Sequence, residues 1–415
     1  MKKLIFQKIK STAMFYALFL MTIVSIVLAG LFQLSTLNQQ LHFKLSIEEQ
    51  LMNNANSGIA YAQAYFLELP PNQKHTVRLF DEGIDSVEIQ IKQWGAYPII
   101  SSTALHQNQK INKIVMVGSQ SPTTLPNLYL VDIGNPLTVC GKTRIEGNIY
   151  LPKRGIKRGY IGGKSYTGNK LLYGTKHQSK QTLPQLNKTF LNEYENFEAQ
   201  KTDWDNQLNN INVPFDSVAV NYYSPKFVYL TQSIKGQVII ESKDSIIVSK
   251  TAQLNQVILK SPKIIIEKGF KGSLQCIASQ HINIGEDVIL KYPSVLALIE
   301  KKSTDLQSEI MIDKNAQMVG SILLISKNPN FRMPLKLSIN ENSTVNGFVF
   351  CAGETQLKGT VNGSLYTNKF YLKTSSSAYQ NYLLDATIKN DLPNSFIPIP
   401  LIESSNKIKV IKWLN

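Results

Sequence analysis

Twenty consecutive positions without a charge, Ala13 to Phe32 (AMFYALFLMTIVSIVLAGLF), dominate the start of the chain. A helix crosses a bilayer with about 20 apolar residues, so this stretch predicts a membrane span over 13–32. Beyond it the apolar residues recur every three or four positions: Leu34, Leu37, Leu41, Leu45, Met52, Ala55, Ile59, Ala62 and Phe66. That spacing is one stripe of a continuing helix, an amphipathic stalk over 33–70 that Pro70-Pro71 stops.

From His75 the period falls to two, as in Ser86-Val87-Glu88-Ile89-Gln90-Ile91, and further β-like runs follow at Tyr97–Ser101 and Lys113–Gly118. Residues 75–120 therefore read as a small antiparallel β domain. A repeat then takes over. Short apolar runs begin at Ile246, Ile264 and Ile282, each 18 residues after the last, and later copies begin at Ile310, Leu337 and Thr355. Each copy continues through a turn into a second short strand, often opened by glycine, as at Gly272, Gly320, Gly347 and Gly363. Self-similarity at a fixed short period predicts a solenoid, here a right-handed parallel β-helix over 226–390, followed by a C-terminal tail over 391–415. The same strand–Gly–strand grammar in Leu137–Tyr150 makes 129–174 the first rungs. Residues 175–225 interrupt them, with a helix expected over 184–210 because Leu186, Phe190, Tyr194, Phe197, Trp204 and Leu208 share a face and Pro184 suits a first turn. The expected fold class is thus mainly β, with an N-terminal transmembrane helix and a helical insertion.

The layout of residues 1–70, a short basic leader (1–12) before an apolar helix with an amphipathic extension, resembles the N-terminal stalk of type IV minor pilins and secretion pseudopilins. Major pilins carry a Glu soon after the leader cleavage, and Leu18 stands there if cleavage follows Ala13. The resemblance implies a component of a pilus, secretion or DNA-uptake machine, with other pilin-like or envelope proteins as partners. A plain single-pass anchor with a coiled stalk fits the same pattern, as does a cleavable signal peptide, although Ala29-Gly30-Leu31-Phe32 suits a cleavage site poorly. The rungs around Leu137–Tyr150 and Val345–Phe350 resemble those of bactofilin-like β-helices, which implies the fold alone.

Charge orients the chain. It carries 44 Lys+Arg against 29 Asp+Glu, a formal +15. Lys2, Lys3, Lys8 and Lys10 precede the span and the next basic residue is Lys44, so the positive-inside rule places the N-terminus in the cytoplasm. A single-pass protein of the inner membrane follows, with the bulk of the chain periplasmic or extracellular and the lipid bilayer a partner through 13–32. Cys140, Cys276 and Cys351 form no C-x-x-C pair and the five histidines are scattered, so neither a metal site nor a cofactor is expected.

Two constellations remain. Between Gly141 and Lys180 stand ten Lys/Arg and one acid, Glu146. Lys153, Arg154, Lys157, Arg158, Lys164 and Lys170, interleaved with Tyr160 and Tyr166, suit an anionic polysaccharide, lipopolysaccharide or extracellular DNA. The second is a set of turn carboxylates, Glu267, Glu286, Asp313 and Glu341, which ordinary turn chemistry accounts for and which a polysaccharide-active β-helix would also use. With no catalytic signature, the sequence predicts a membrane-anchored, non-enzymatic envelope protein of structural or interaction type. The alternative is an envelope polysaccharide-binding or polysaccharide-active β-helix.

Overall fold

The computed structural model describes residues 11–79, 86–119, 125–187, 199–205, 207–300, 307–327, 333–374, 377–393, 395–399 and 407–414. The protein is mainly β, with one long N-terminal helix, α1, over Ser11–Ala64. Its 54 residues make a rod about 80 Å long at 1.5 Å per residue. Helix α1 is long and apolar enough to cross a membrane, and none of its most apolar window is buried within the protein.

The predicted stripe splits in two. Leu34, Leu37, Leu41 and Leu45 are 49–60% exposed, whereas Ala55, Ile59 and Ala62 are at most 3% exposed and are joined by Leu51 (1%) rather than by the expected Met52 (41%). The second group packs on Val87, Ile89, Ile100, Val115 and Val117 of an antiparallel sheet. That sheet runs Lys74–Val77, Ser86–Trp94, Tyr97–His106, Gln109–Ser119, in chain order. Strand alternation sends Val87, Ile89 and Ile91 to α1 and gives Trp94, Tyr97, Ile99 and Met116 to the opposite face. The C-terminal segment is no tail: Ile408–Trp413 adds as a fifth strand, antiparallel to Gln109–Ser119. Sequence reasoning missed it because one short run gives no hint of a partner some 290 positions earlier.

Most of the remaining strands form one large, predominantly parallel sheet that closes around a buried apolar core, while 137–140, 156–158 and 382–384 form a separate three-stranded parallel sheet and 160–161 pairs with 164–165. The repeats found in the sequence are its register partners: Ile246 pairs with Ile264, then Ile282, Ile310, Leu337 and Thr355 in turn. All six are at most 1% exposed. Repeated burial of Ile and Leu in one column is the main adhesive, at about 1.5–3 kcal/mol per side chain.

A glycine column turns one corner. Gly347 has φ +147°, and a Cβ there would lie 1.9 Å from the Gly320 carbonyl oxygen of the adjacent layer. Gly320, Gly347 and Gly363 are direct register partners, so the backbones meet where no side chain fits. Outside, another column stacks rings: Phe350, Tyr366, Tyr129, Tyr150 and His177 are successive register partners with centroids 4.9–6.0 Å apart.

Spatial order departs from chain order. One face of the sheet climbs from 200–203 through 220–224, 238–242, 258–260, 275–278, 295–298, 321–324 and 348–351 to 364–367. The next strands are 128–130, 149–151 and 176–178. The segment expected to supply the first rungs, 129–174, therefore lies at the far end, beyond the last repeats. One layer is built from both: 387–389 pairs below with 360–362 and above with 144–145, while 128–130 covers 365–367 and 382–384 meets 138–140.

The helix expected over 184–210 is not seen where the chain is described. Gln200–Asp203 is a strand paired with 220–223, and Asn210–Val213 is another, paired with 233–236; residues 188–198 lie outside the described residues. Trp204 and Leu208 pack on the apolar core as the expected face implied, but from irregular backbone.

Candidate anion-binding surface and the turn carboxylates

The turns after four consecutive repeat strands carry charge two positions on, and the layers align those positions. Lys268, Glu286, Lys314 and Glu341 follow Ile266, Ile284, Ile312 and Ile339, which are register partners. The signs alternate and neighbours pair: Lys268 Nζ lies 2.7 Å from Glu286, Lys314 Nζ 3.2 Å from Glu341, and Lys358 Nζ 3.6 Å from Glu341. The Lys314 ammonium, with Lys358 behind it, holds the Glu341 carboxyl below its ordinary range. Glu267 instead accepts from the Tyr229 hydroxyl at 3.3 Å, and Asp313 accepts from its neighbour's N–H and from Asn340. Each of the four carboxylates thus has a local partner. An exposed carboxylate neutralised by lysines is a poor general acid, because a general acid must hold its proton at working pH.

A second charged column runs along the strand starts. Lys263, His281, Glu309, Lys336, Glu354 and Lys369 are successive register partners. Glu309 pairs with Lys336 at 3.1 Å and Glu354 with Lys369 at 2.7 Å. Glu241 and Lys260, also register partners, lie 3.3 Å apart. Burial works against the Glu241 carboxylate, but the Asn221 amide and Lys260 outweigh it and lower its pKa. These columns reward one register, since a slip brings like charges together.

The basic block is different. It forms the terminal layers, where 149–151 turns through 152–155 into Ile156–Arg158, and a hairpin Tyr160–Ser165 turns on Gly162-Gly163. Lys153, Arg154, Lys157, Arg158, Tyr160 and Lys170 are exposed. Lys176, on the last strand, brings its Nζ to within 3.7 Å of the position a Cβ on Gly155 would take. Lys176 belongs to the basic block of the sequence but not to the ligand residues named from it; the parallel return of 173–178 over 146–151 brings it to this corner.

Two of the proposed ligand residues do other work. Tyr166 is 8% exposed, its hydroxyl donates to the Lys170 carbonyl at 2.5 Å, and Arg158 lies 5.9 Å over its ring. Lys164 is paired with Asp385 at 2.6 Å. Burial penalises the Asp385 carboxylate, yet the Lys142 N–H and Lys164 outweigh it and lower its pKa. Asp132 accepts from the N–H groups of Lys153 (2.8 Å) and Gly134 (2.9 Å), which lower its pKa with help from the Lys153 and Arg154 charges.

Cys140, Cys276 and Cys351 are free and buried; burial raises the Cys276 thiol and pushes Cys351 up to about 12. Cys276 and Cys351 both enter the inward core but lie in neighbouring columns, since Cys276 aligns with Leu296 and Cys351 with Leu324. A cavity of about 940 Å³ opens beside the aromatic column, lined by Val131, Ile133, Leu183, Ile325, Phe350 and Gln380 among others. None of the predicted site residues lines it.

No family model matches the chain, and no curated protein or solved structure matches it either.

Proposed function

We propose that the protein is a membrane-anchored, non-enzymatic component of a cell-envelope assembly, of pilin-like type. The N-terminus is cytoplasmic, residues 13–32 cross the inner membrane, and the β body stands outside as a right-handed parallel β-helix held by the antiparallel sheet. The observation that carries the reading is the continuity of α1. One unbroken helix runs from the apolar stretch into the groove of an antiparallel sheet, so force or position at the membrane is transmitted to the body without a hinge. The stripe Leu34, Leu37, Leu41 and Leu45 also supports it: these residues lie beyond the predicted span and remain 49–60% exposed, as a stalk that packs on other helices requires. The β-helix part rests on parallel partners that return after about one repeat.

Cysteine crosslinking in native membranes tests this reading. With cysteine at Leu37 or Leu41, an oxidant or a short bis-maleimide gives a discrete adduct with another helix-bearing envelope protein or with a second copy. Cysteine at Thr36 or Gln39, on the opposite face of the helix, gives less. Absence of adducts at every stalk position would contradict an assembled stalk and leave a solitary anchor.

A further inference from the structure

Six lysines of the parallel sheet and its turns are matched to acids. Lys260, Lys268, Lys314, Lys336, Lys358 and Lys369 each lie within 3.6 Å of a carboxylate. The terminal layers instead gather cations without such partners into one cluster. Among the described residues, Lys153, Arg154, Lys157, Lys170 and Lys176 have no carboxylate at ion-pair distance, and Arg158 meets no acid but donates to the Asn169 carbonyl at 3.4 Å and lies over the Tyr166 ring. The acids of these layers, among the described residues, are engaged elsewhere: Asp132 by two backbone N–H groups, Asp385 by Lys164, Glu146 by Arg144. Concentrating unpaired like charge at one end costs stability through self-repulsion, and an anionic partner removes that cost.

The geometry narrows the partner. The cations wrap an edge: Lys153, Arg154 and Lys176 stand at the corner, Lys157 and Arg158 project from opposite faces of the next strand, and Arg158 reaches the loop of Lys170 through the Asn169 carbonyl. A flexible chain can follow a path round a corner, whereas a rigid duplex touches one side of it. Single-stranded nucleic acid binds through stacking platforms, and here the rings are taken: Tyr166 is buried, Tyr150 stacks on His177, and Arg144 covers Tyr173. Among the described residues, Tyr160, 67% exposed, is the ring of this surface left open, enough for a sugar face rather than a run of bases.

We propose that this terminal cationic surface binds a flexible anionic polysaccharide, held by Lys153, Arg154, Lys157, Arg158 and Lys176 with Tyr160 against a sugar ring.

The test uses the full chain in detergent micelles with heparin as the probe. Affinity falls at least about 10-fold between 50 and 300 mM NaCl, as release of counterions from several contacts requires. The variant Lys153→Glu/Arg154→Glu/Lys157→Glu/Arg158→Glu weakens binding at least about 30-fold, while Lys235→Glu/Lys250→Glu/Lys271→Glu/Lys291→Glu, with the same change in net charge at exposed sites elsewhere, stays within about 3-fold. Thermal melting shows that both variants fold. The proposal is overturned if heparin shows no salt-dependent binding, if both variants lose affinity equally, or if duplex or single-stranded DNA of equal charge binds more tightly than heparin at the same salt.

Discussion

The side chain of Asn127 takes the place of a missing peptide against Gly363: its Nδ2 donates to the Gly363 carbonyl at 2.9 Å and its Oδ1 accepts from the Asn148 N–H at 2.8 Å. It sits where the layer built from both chain ends interrupts the glycine column, and it is 3% exposed. Below it lies Gly363 and above it Gly147, whose added Cβ would fall 2.0 Å from Asn127 Oδ1. Asn127→Ala therefore strands two buried backbone groups, a loss of about 1–3 kcal/mol each. Amide exchange at 128–130, 365–367 and 387–389 should quicken by about 100-fold, while exchange at 264–266 changes little. Asn127→Asp, which keeps an acceptor and loses the donor, should be at least as harmful at neutral pH.

Gln275 fastens the antiparallel sheet to the parallel one. Its Oε1 accepts from the Ala96 N–H at 2.7 Å and its Nε2 donates to the Trp94 carbonyl at 3.1 Å. Between those groups Gly95 turns at φ +60°, and a Cβ there would meet Gln275 Oε1 at 2.1 Å. Gly95→Val should hydrate Trp94, now 2% exposed. The expected readout is a red shift of Trp94 emission in a background with Trp204→Phe and Trp413→Phe, with little change in far-ultraviolet circular dichroism.

The two charged columns should differ in worth. Glu309 and Lys336 have side chains 22% and 26% exposed, whereas Lys268 and Glu286 are 65% and 42% exposed. Glu309→Lys puts a cation between His281 and Lys336 and should cost about 1 kcal/mol or more in urea unfolding. Lys268→Ala should stay within about 0.5 kcal/mol, because exposed pairs contribute little.

His281 supplies a pH dependence. Burial, then the Lys263 charge, lowers its pKa from 6.5, with Glu309 opposing. Between its folded and unfolded pKa values the unfolded chain binds the extra proton, so stability is full above about pH 6.5 and declines as pH falls through the depressed value. His281→Gln should flatten the fall in melting temperature between neutral pH and the onset of carboxylate titration. Asp385, Asp132 and Glu241, whose pKa values are also lowered, lose their contributions only below the ordinary carboxylate range.

Much of this was legible in the chain, and what was not has physical causes. The recurring Ile246, Ile264 and Ile282 announced their own pairing, because a fixed period forces equal residues into one column. Lys268 and Lys314 occupy the same turn slot as Glu286 and Glu341, and that alternation of sign, visible in sequence, separates a ladder of ion pairs from a catalytic cluster. The layer shared by 128–130 and 382–389 was not legible: strand grammar identifies a rung without saying which rung lies beside it. Nor could the sequence show that Tyr166 faces inward, since a basic loop interleaved with tyrosines reads alike whether a ring points in or out.

The anchor is the claim on which the functional account stands, and accessibility of single cysteines tests it most directly. The native thiols are buried, so they stay silent in the folded protein. In intact cells whose outer layer is permeabilised, a membrane-impermeant maleimide should label cysteine at Lys44, label cysteine at Lys10 only after lysis of the inner membrane, and leave cysteine at Met21 unlabelled until detergent is added. Labelling at Met21 or Lys10 in intact cells would contradict a membrane span over 13–32 with a cytoplasmic N-terminus.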